Sequence, residues 1–215
     1  MGMPGARAFR TLRGEGAAAL EIKRSRFLGH AAPAPTEEAA QEGLARLRRA
    51  HAEASHHCFA YRLGAMGEIG RFSDDGEPGG TAGRPIMEVL LREELVDVVV
   101  VVSRYFGGVL LGSGGLTRAY SQAAAAAVRA AGTVAMRPHT ELRITVAYSA
   151  LGALEQLLLH AGLRASGADY ADRATLVVPV PAGDEAAFAA RLADLTAGAG
   201  IVTPGRTVYL PEGTT

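Results

Sequence analysis

Apolar positions follow two rhythms along this chain. After a loose start over residues 1–15, Ala18 to Lys23 and Arg26 to Ala32 read as two short strands. The basic run Lys23-Arg24-Ser25-Arg26 joins them. Pro33 and Pro35 end the second strand. Thr36 then makes a good N-cap, with Glu37 and Glu38 in the first turn, where negative charge suits the helix dipole. The helix runs to about His51, with Ala40, Leu44, Leu47 and Ala50 predicted to face inward. His57 to Leu63 reads as a strand. Residues 64–82 read as one long loop rich in glycine and charge, expected to be mobile. Pro85 suits the first turn of a helix over about 84–94. Val96 to Val102, broken only by Asp97, is a β-branched run that predicts a buried strand. Leu116 to Ala131, with five successive alanines, predicts a helix.

Arg137-Pro138 marks the expected domain boundary, giving domains 1–137 and 138–215, each expected to fold alone. The second half orders its elements as strand 140–148, helix 151–161, strands 163–171 and 174–180, a helix from 183–184 to about 197, and strand 201–210. That is β-α-β-β-α-β, the ferredoxin-like pattern. The predicted fold class is therefore α+β in two domains.

Composition narrows the function classes. A hydrophobic fraction of 48% in 215 residues argues for a globular protein with a substantial core. Formal net charge is zero, so no global field holds nucleic acid or an anionic membrane. Residues 1–138 carry 17 Lys+Arg against 14 Asp+Glu, and residues 139–215 carry 5 against 8, which puts a slight basic bias on the first half. The single cysteine, Cys58, excludes an internal disulfide and a multi-cysteine metal site. With no secretory segment and no run long enough to span a bilayer, the expected location is cytoplasmic and no membrane partner is expected.

The candidate chemistry gathers around residues 103–120. A strand, a glycine-rich turn and a helix in that order can make an anion site, because glycines admit a ligand to backbone N–H groups and a helix start leaves donors unpaired. The turn carries Gly107, Gly108, Gly112, Ser113, Gly114 and Gly115, with Arg104 before it and Arg118 after it. It lacks the Gly-Lys-Ser/Thr end of a phosphate loop and the spacing of a dinucleotide fingerprint. A tight structural turn explains the glycines equally well. Tyr105 and Phe106 beside Arg104 suit base stacking next to a phosphate contact, and suit a lid on the core just as well. His56 and His57 point to opposite faces of a strand, so they do not share a metal. His56 with Asp74, Asp75 or Glu77 would make an acid–base set or hold a hard cation, while Asp74-Asp75-Gly76 is also ordinary turn chemistry. Cys58 reads as a small core residue. No metal ligand set and no cofactor are assigned.

Three motifs resemble one family. They are Arg71-Phe72-Ser73-Asp74-Asp75-Gly76-Glu77-Pro78-Gly79-Gly80-Thr81-Ala82-Gly83-Arg84-Pro85, then Arg104-Tyr105-Phe106-Gly107-Gly108, then Leu111-Gly112-Ser113-Gly114-Gly115-Leu116-Thr117-Arg118-Ala119-Tyr120. Their order and length are similar to those of the IMPACT family in its bacterial YigZ-type form, and His56 to Tyr61 is similar to that family's histidine-containing strand. The resemblance implies an N-terminal domain like domain 2 of ribosomal protein S-five and a ferredoxin-like domain similar to one in a translocating elongation factor. It implies a translation-associated role, since eukaryotic relatives are translational regulators. Their competition for a kinase activator uses an extra N-terminal domain and is not carried over. It assigns bacterial members no settled reaction.

Two functions stay open on this reading. One is a binder of RNA or ribosome-associated factors through the glycine turn and Arg104. The other is an enzyme on a phosphate-bearing, nucleotide-like substrate, with His56, Asp74, Asp75 and Glu77 as its working groups. A third outcome makes Arg104 a structural clamp on the acidic loop. Oligomeric state is left open.

Overall fold

The computed structural model describes residues 7–213, and the first six residues of the loose start expected over 1–15 lie outside them. The protein is α+β, with two sheets and five helices among the described residues. Two compact units divide at Ala135 and Met136.

In the first unit the elements are β1 (Phe9–Leu12), β2 (Gly16–Ile22), β3 (Ser25–Pro33), α1 (Glu37–Ala50), β4 (His56–Leu63), β5 (Ile69–Ser73), α2 (Gly83–Arg92), β6 (Val98–Tyr105) and α3 (Ser113–Ala131). The sheet order is β2-β3-β6-β4-β5, antiparallel throughout. β6 is central and buried on both faces, which is why it reads as a run of valines rather than an alternation. Phe27, Cys58, Val98, Val100 and Val102 pack with α2 and α3, and Tyr61, Val99 and Val101 pack with Leu44 of α1 on the other face.

The alanine run of α3 has a packing cause. A Cβ built on Gly29 would lie 2.5 Å from the Ala123 carbonyl oxygen, and one on Gly16 would lie 2.1 Å from the Ala131 nitrogen. The helix backbone therefore rests on the β2–β3 hairpin, and Ala123, Ala124 and Ala127 are fully buried. Lys23 and Arg24 form the two-residue hairpin turn, both with positive φ (48° and 65°).

Several boundaries differ from the sequence-based expectation. β1 falls within the stretch expected to be loose, bridging Leu95 through Arg10. Ala50 is exposed rather than inward, at the frayed end of α1. The expected loop 64–82 contains β5, an exposed edge strand whose glycine and charge hide its alternation. β6 begins at Val98 because Asp97 adopts φ 55°, and it runs on through Arg104 and Tyr105, which lie in the strand and not in the turn. α3 begins three residues earlier than expected, so Ser113, Gly114 and Gly115 form its first turn.

The second unit contains most of β7 (Thr133–Val146), then α4 (Tyr148–His160), β8 (Gly167–Tyr170), β9 (Ala174–Pro181), α5 (Glu185–Thr196) and β10 (Ile201–Pro211). Its strands order as β10-β7-β9-β8, all antiparallel, the ferredoxin-like arrangement. Leu142, Ile144, Leu154, Val178, Phe188 and Leu192 form its core. The strand expected from Thr140 starts at Thr133 and passes through Pro138. Proline is tolerated there because Pro138 lies one residue beyond the last β7–β9 pair, His139 with Pro181, where the missing N–H breaks no ladder, and its carbonyl still accepts the Ala182 N–H at 3.0 Å.

Candidate functional site

The acidic loop between β5 and α2 is stitched down residue by residue. Asp74 Oδ1 accepts the N–H groups of Ala82 (2.9 Å) and Gly83 (2.8 Å), and Oδ2 accepts that of Gly80 (2.8 Å). Asp74 therefore caps α2 from outside the helix, which lacks a cap of its own at Ala82. Burial pushes its pKa up, but the three amides outweigh burial and hold the carboxyl below its ordinary value. Asp75, at φ 44°, accepts the His57 N–H at 2.6 Å through Oδ2 and pairs with Arg48 at 3.0 Å through Oδ1. Its carbonyl lies 2.8 Å from His56 Nδ1. A carbonyl only accepts, so His56 carries a proton on Nδ1. His57 points to the opposite face, where Nδ1 lies 2.9 Å from Ser103 Oγ. Burial is the main reason its pKa falls below the ordinary histidine value.

Glu77 is the centre of the buried polar cluster. Its Oε1 accepts Arg104 Nη1 at 2.6 Å and the Tyr120 hydroxyl at 2.7 Å, and His56 Nε2 stands 4.0 Å away. Arg104 is 5% exposed, with its guanidinium 5.4 Å from the ring centres of both Phe27 and Phe106. Its Nη2 donates to Ser25 Oγ at 3.3 Å, and the Gly107 N–H donates to the same oxygen at 3.2 Å. Arg104 Nε is buried with no partner among the described residues. Burial raises the pKa of Tyr120 and pushes the Cys58 thiol up to about 12, so both stay neutral.

The site residues named from sequence thus separate into two groups. Glu77, Arg104 and His56 converge at one end of the sheet, joined there by Tyr120, which was not named as a site residue from sequence. Asp74 and Asp75 are occupied by backbone amides and Arg48, which leaves them no free oxygen pair for an acid–base set or a hard cation. Among the described residues no group of three or more His, Cys, Asp or Glu side chains has metal-binding geometry. Tyr105 faces α1, where its hydroxyl meets His51 Nδ1 at 3.2 Å. The turn from Phe106 to Gly112 lies outside the buried cluster. Phe106 is 51% exposed and Leu110 is 83% exposed. Gly108 and Gly112 have positive φ, and no side chain caps α3. Gly112, Ser113, Gly114 and Arg118 are solvent-exposed, and Gly115 is half-buried.

Sequence reasoning missed the β2–β3 turn as part of this surface. A Cβ on Gly107 would lie 2.1 Å from the Arg24 carbonyl carbon and oxygen, so the two turns are packed backbone to backbone. Lys23, Arg24 and Arg118 make no ion pair among the described residues. Arg26 sits 5.7 Å from the Tyr105 ring centre and opposite Glu21 in the hairpin register. The basic run was visible in the sequence; its contact with Gly107, 82 residues from Ser25, was not.

The fold and these motifs define a two-domain α+β protein whose first domain closes on a buried Arg–Glu–Tyr cluster. A family model described as the Impact N-terminal domain matches residues 23–128, and one described as a domain of unknown function (DUF1949) matches residues 144–199. IMPACT family member YigZ of Escherichia coli is 39% identical over 180 residues, covering 83% of this chain and 88% of that protein. The IMPACT family member in the pol 5' region of Thermus thermophilus is 42% identical over 178 residues, covering 82% and 96%. A solved structure titled as that of a hypothetical protein superposes with a TM-score of 0.64 at 34% identity, over 93% of this chain and 98% of that one. The chain belongs to the IMPACT family. Among the described residues no helix is long and apolar enough to cross a membrane.

Proposed function

We propose that this chain binds the phosphate backbone of RNA in a translation-associated role, at the surface where the β2–β3 turn meets the start of α3. The observation that carries this reading is the strained basic turn. Lys23 and Arg24 both hold left-handed conformations, which cost roughly 1–2 kcal/mol per residue for non-glycine side chains. Asn-Gly would fill such a turn without that strain. The turn instead carries two cationic residues, with the Arg24 backbone packed against Gly107 in the turn that leads to the uncapped α3 and Arg118. Exposed Phe106 supplies a ring for a base to stack on. In this reading Arg104 supports the site rather than meeting the ligand.

The test is fluorescence anisotropy with a single-stranded RNA at several salt concentrations. Lys23→Ala with Arg24→Ala should weaken binding, and the slope of log K against log salt should shrink by about 1.4, two phosphates at ~0.7 each. Arg118→Ala should act the same way with half the slope change. Equal affinity and slope in all variants would place the RNA contact elsewhere.

A second reading has one specific observation. His56 is half-buried between the Asp75 carbonyl, 2.8 Å from its Nδ1, and the Glu77 carboxylate, 4.0 Å from its Nε2. That is the arrangement of a general base for a phosphate-bearing, nucleotide-like substrate. His56→Gln would abolish turnover while leaving RNA affinity unchanged. Absence of turnover by the parent protein on a panel of nucleotides and RNA would remove this reading.

A further inference from the structure

A pocket opens on the opposite face of the first unit's sheet, between α1 and the β2–β3 hairpin. It encloses about 140 Å³. That is close to the roughly 150 Å³ known to hold one benzene ring in a protein interior. Val99 and Val101 form its floor, and Gly43 and Leu47 of α1 form one wall. His30, Arg46 and Glu15 supply its polar groups. A wider depression of about 460 Å³ adjoins it, sharing Glu15, Ala32, Gly43, Arg46 and Val99 and adding both Glu42 and Arg49 among its charged residues.

Three observations say what this pocket suits. First, Gly43 lies in the interior of α1, where glycine is about 1 kcal/mol less favourable than alanine. A Cβ there would meet only Val99 Cγ1, at 3.7 Å, so a larger side chain would project into the pocket. Second, Arg46 already holds a carboxylate at the mouth, that of Glu15 at 3.0 Å. Both side chains are more than half exposed, and such pairs are worth only about 0–1 kcal/mol, so Glu15 is easily displaced. Third, the field at the pocket's polar end is positive. Burial first, then His51 and Arg46, hold His30 below the ordinary histidine value, and Glu15 opposes them least. The His51 ring lies 5.5 Å from that of His30, tilted by 38°, and is bonded to Tyr105.

We infer that this pocket binds a small carboxylic acid with an apolar body of about one ring, its carboxylate taking the place of Glu15 on Arg46 and its body lying on Val99 and Val101. The site is separate from the RNA surface proposed above and does not depend on it. An anion seated beside His30 adds a negative charge to its surroundings, so it raises the pH at which His30 titrates.

The test is a titration of the full chain followed by NMR, with sodium benzoate as probe. Sodium acetate carries the charge without the ring, and benzamide carries the ring without the charge. Benzoate should shift the Val99 and Val101 methyl resonances saturably and raise the His30 midpoint by ~0.5 pH unit or more. Acetate and benzamide should bind at least about tenfold more weakly, the loss expected when either the apolar or the charged contact is missing. Gly43→Leu should abolish benzoate binding, and Arg46→Gln, an exposed change compatible with folding, should weaken it by about two- to fivefold. The inference is overturned if benzamide matches benzoate, if acetate matches benzoate, or if Arg46→Gln leaves benzoate affinity intact. Unchanged benzoate binding by folded Gly43→Leu overturns it as well.

Discussion

Replacing Arg104 by alanine removes a cation that is 5% exposed and bonded at 2.6 Å to a carboxylate that is buried as well. The Glu77 carboxylate would keep the Tyr120 hydroxyl but lose its counter-charge. Breaking a buried pair from one side typically costs about 3–5 kcal/mol. The stacked contacts with Phe27 and Phe106 would be lost too, so the upper part of that range is expected. For a unit spanning Phe9–Ala135, each kcal/mol moves the melting temperature by about 3–5 °C, so about 4–5 kcal/mol gives a fall of about 12–25 °C. Because the chain has two compact units, the assay must report the first one alone. Native-state hydrogen exchange at Val100 and Val102 amides does so, since both sit in the central strand. The reciprocal variant, Glu77→Leu, should lose about as much. The triple variant Arg104→Met, Glu77→Leu, Tyr120→Phe should recover most of the loss, since it leaves neither a charge nor a hydroxyl unpaired. A loss below about 1 kcal/mol for Arg104→Ala would refute the clamp, because the pair would then be behaving as a solvated surface contact.

The other predictions follow from single contacts. Gly29→Ala forces a Cβ to within 2.5 Å of the Ala123 carbonyl and should destabilise the first unit by several kcal/mol in urea unfolding, whereas Gly14→Ala, with nothing within 4 Å, should change little. Asp74 is held below its ordinary value of 3.8, so its contribution is complete above that pH and fades as pH falls through its lower folded value. Acid unfolding of the parent should therefore steepen below about pH 4, and Asp74→Asn should show a flatter profile with lower stability at neutral pH. Cys58, raised to about 12 by burial, should resist a thiol reagent at pH 8 in the folded protein and react at once in denaturant.

The architecture was legible where one local cause dominated. Thr36 with Glu37 and Glu38 marked the start of α1, and the side chain of Thr36 does accept the Ala39 N–H. The valine run marked the central strand, and the alternation of the last third marked its ferredoxin-like order. The misreadings share a different cause, in that long-range pairing overrode a local signal. Arg104 looks like part of a glycine turn, yet it is held in the strand by His56 on one side and Phe27 on the other. Pro138 looks like a break, yet a neighbour uses its carbonyl. Within the site, the members of the acidic loop were identifiable but their division of labour was not. Asp74, Asp75 and Glu77 are near neighbours in sequence and take three unrelated partners. Asp74 takes backbone amides, Asp75 takes Arg48 and His57, and Glu77 takes Arg104 and Tyr120. Nothing in the spacing of three carboxylates distinguishes those fates.

The clamp also bears on the charge problem that the proposed RNA binding poses for a chain of zero net charge. Glu77 cancels Arg104 inside the fold, and Asp75 cancels Arg48 at its edge. These pairs remove basic and acidic residues from the surface field in equal number. The cations left over at the turn are Lys23, Arg24 and Arg118, with Arg26 offset by Glu21 across the hairpin. Screening confines surface fields to about 8–10 Å at physiological salt, so a phosphate at Gly107 responds to these residues and not to the net charge of the chain. Moving the acidic offset would then matter more than adding charge elsewhere. Glu21→Gln should tighten RNA binding at low salt, and Glu68→Gln, in the β4–β5 turn at the opposite end of the same sheet, should leave it unchanged. Anisotropy titrations of the two variants at matched ionic strength distinguish a local field from a global one. Equal tightening by both would mean that net charge governs the encounter and that the basic turn has no special part in it.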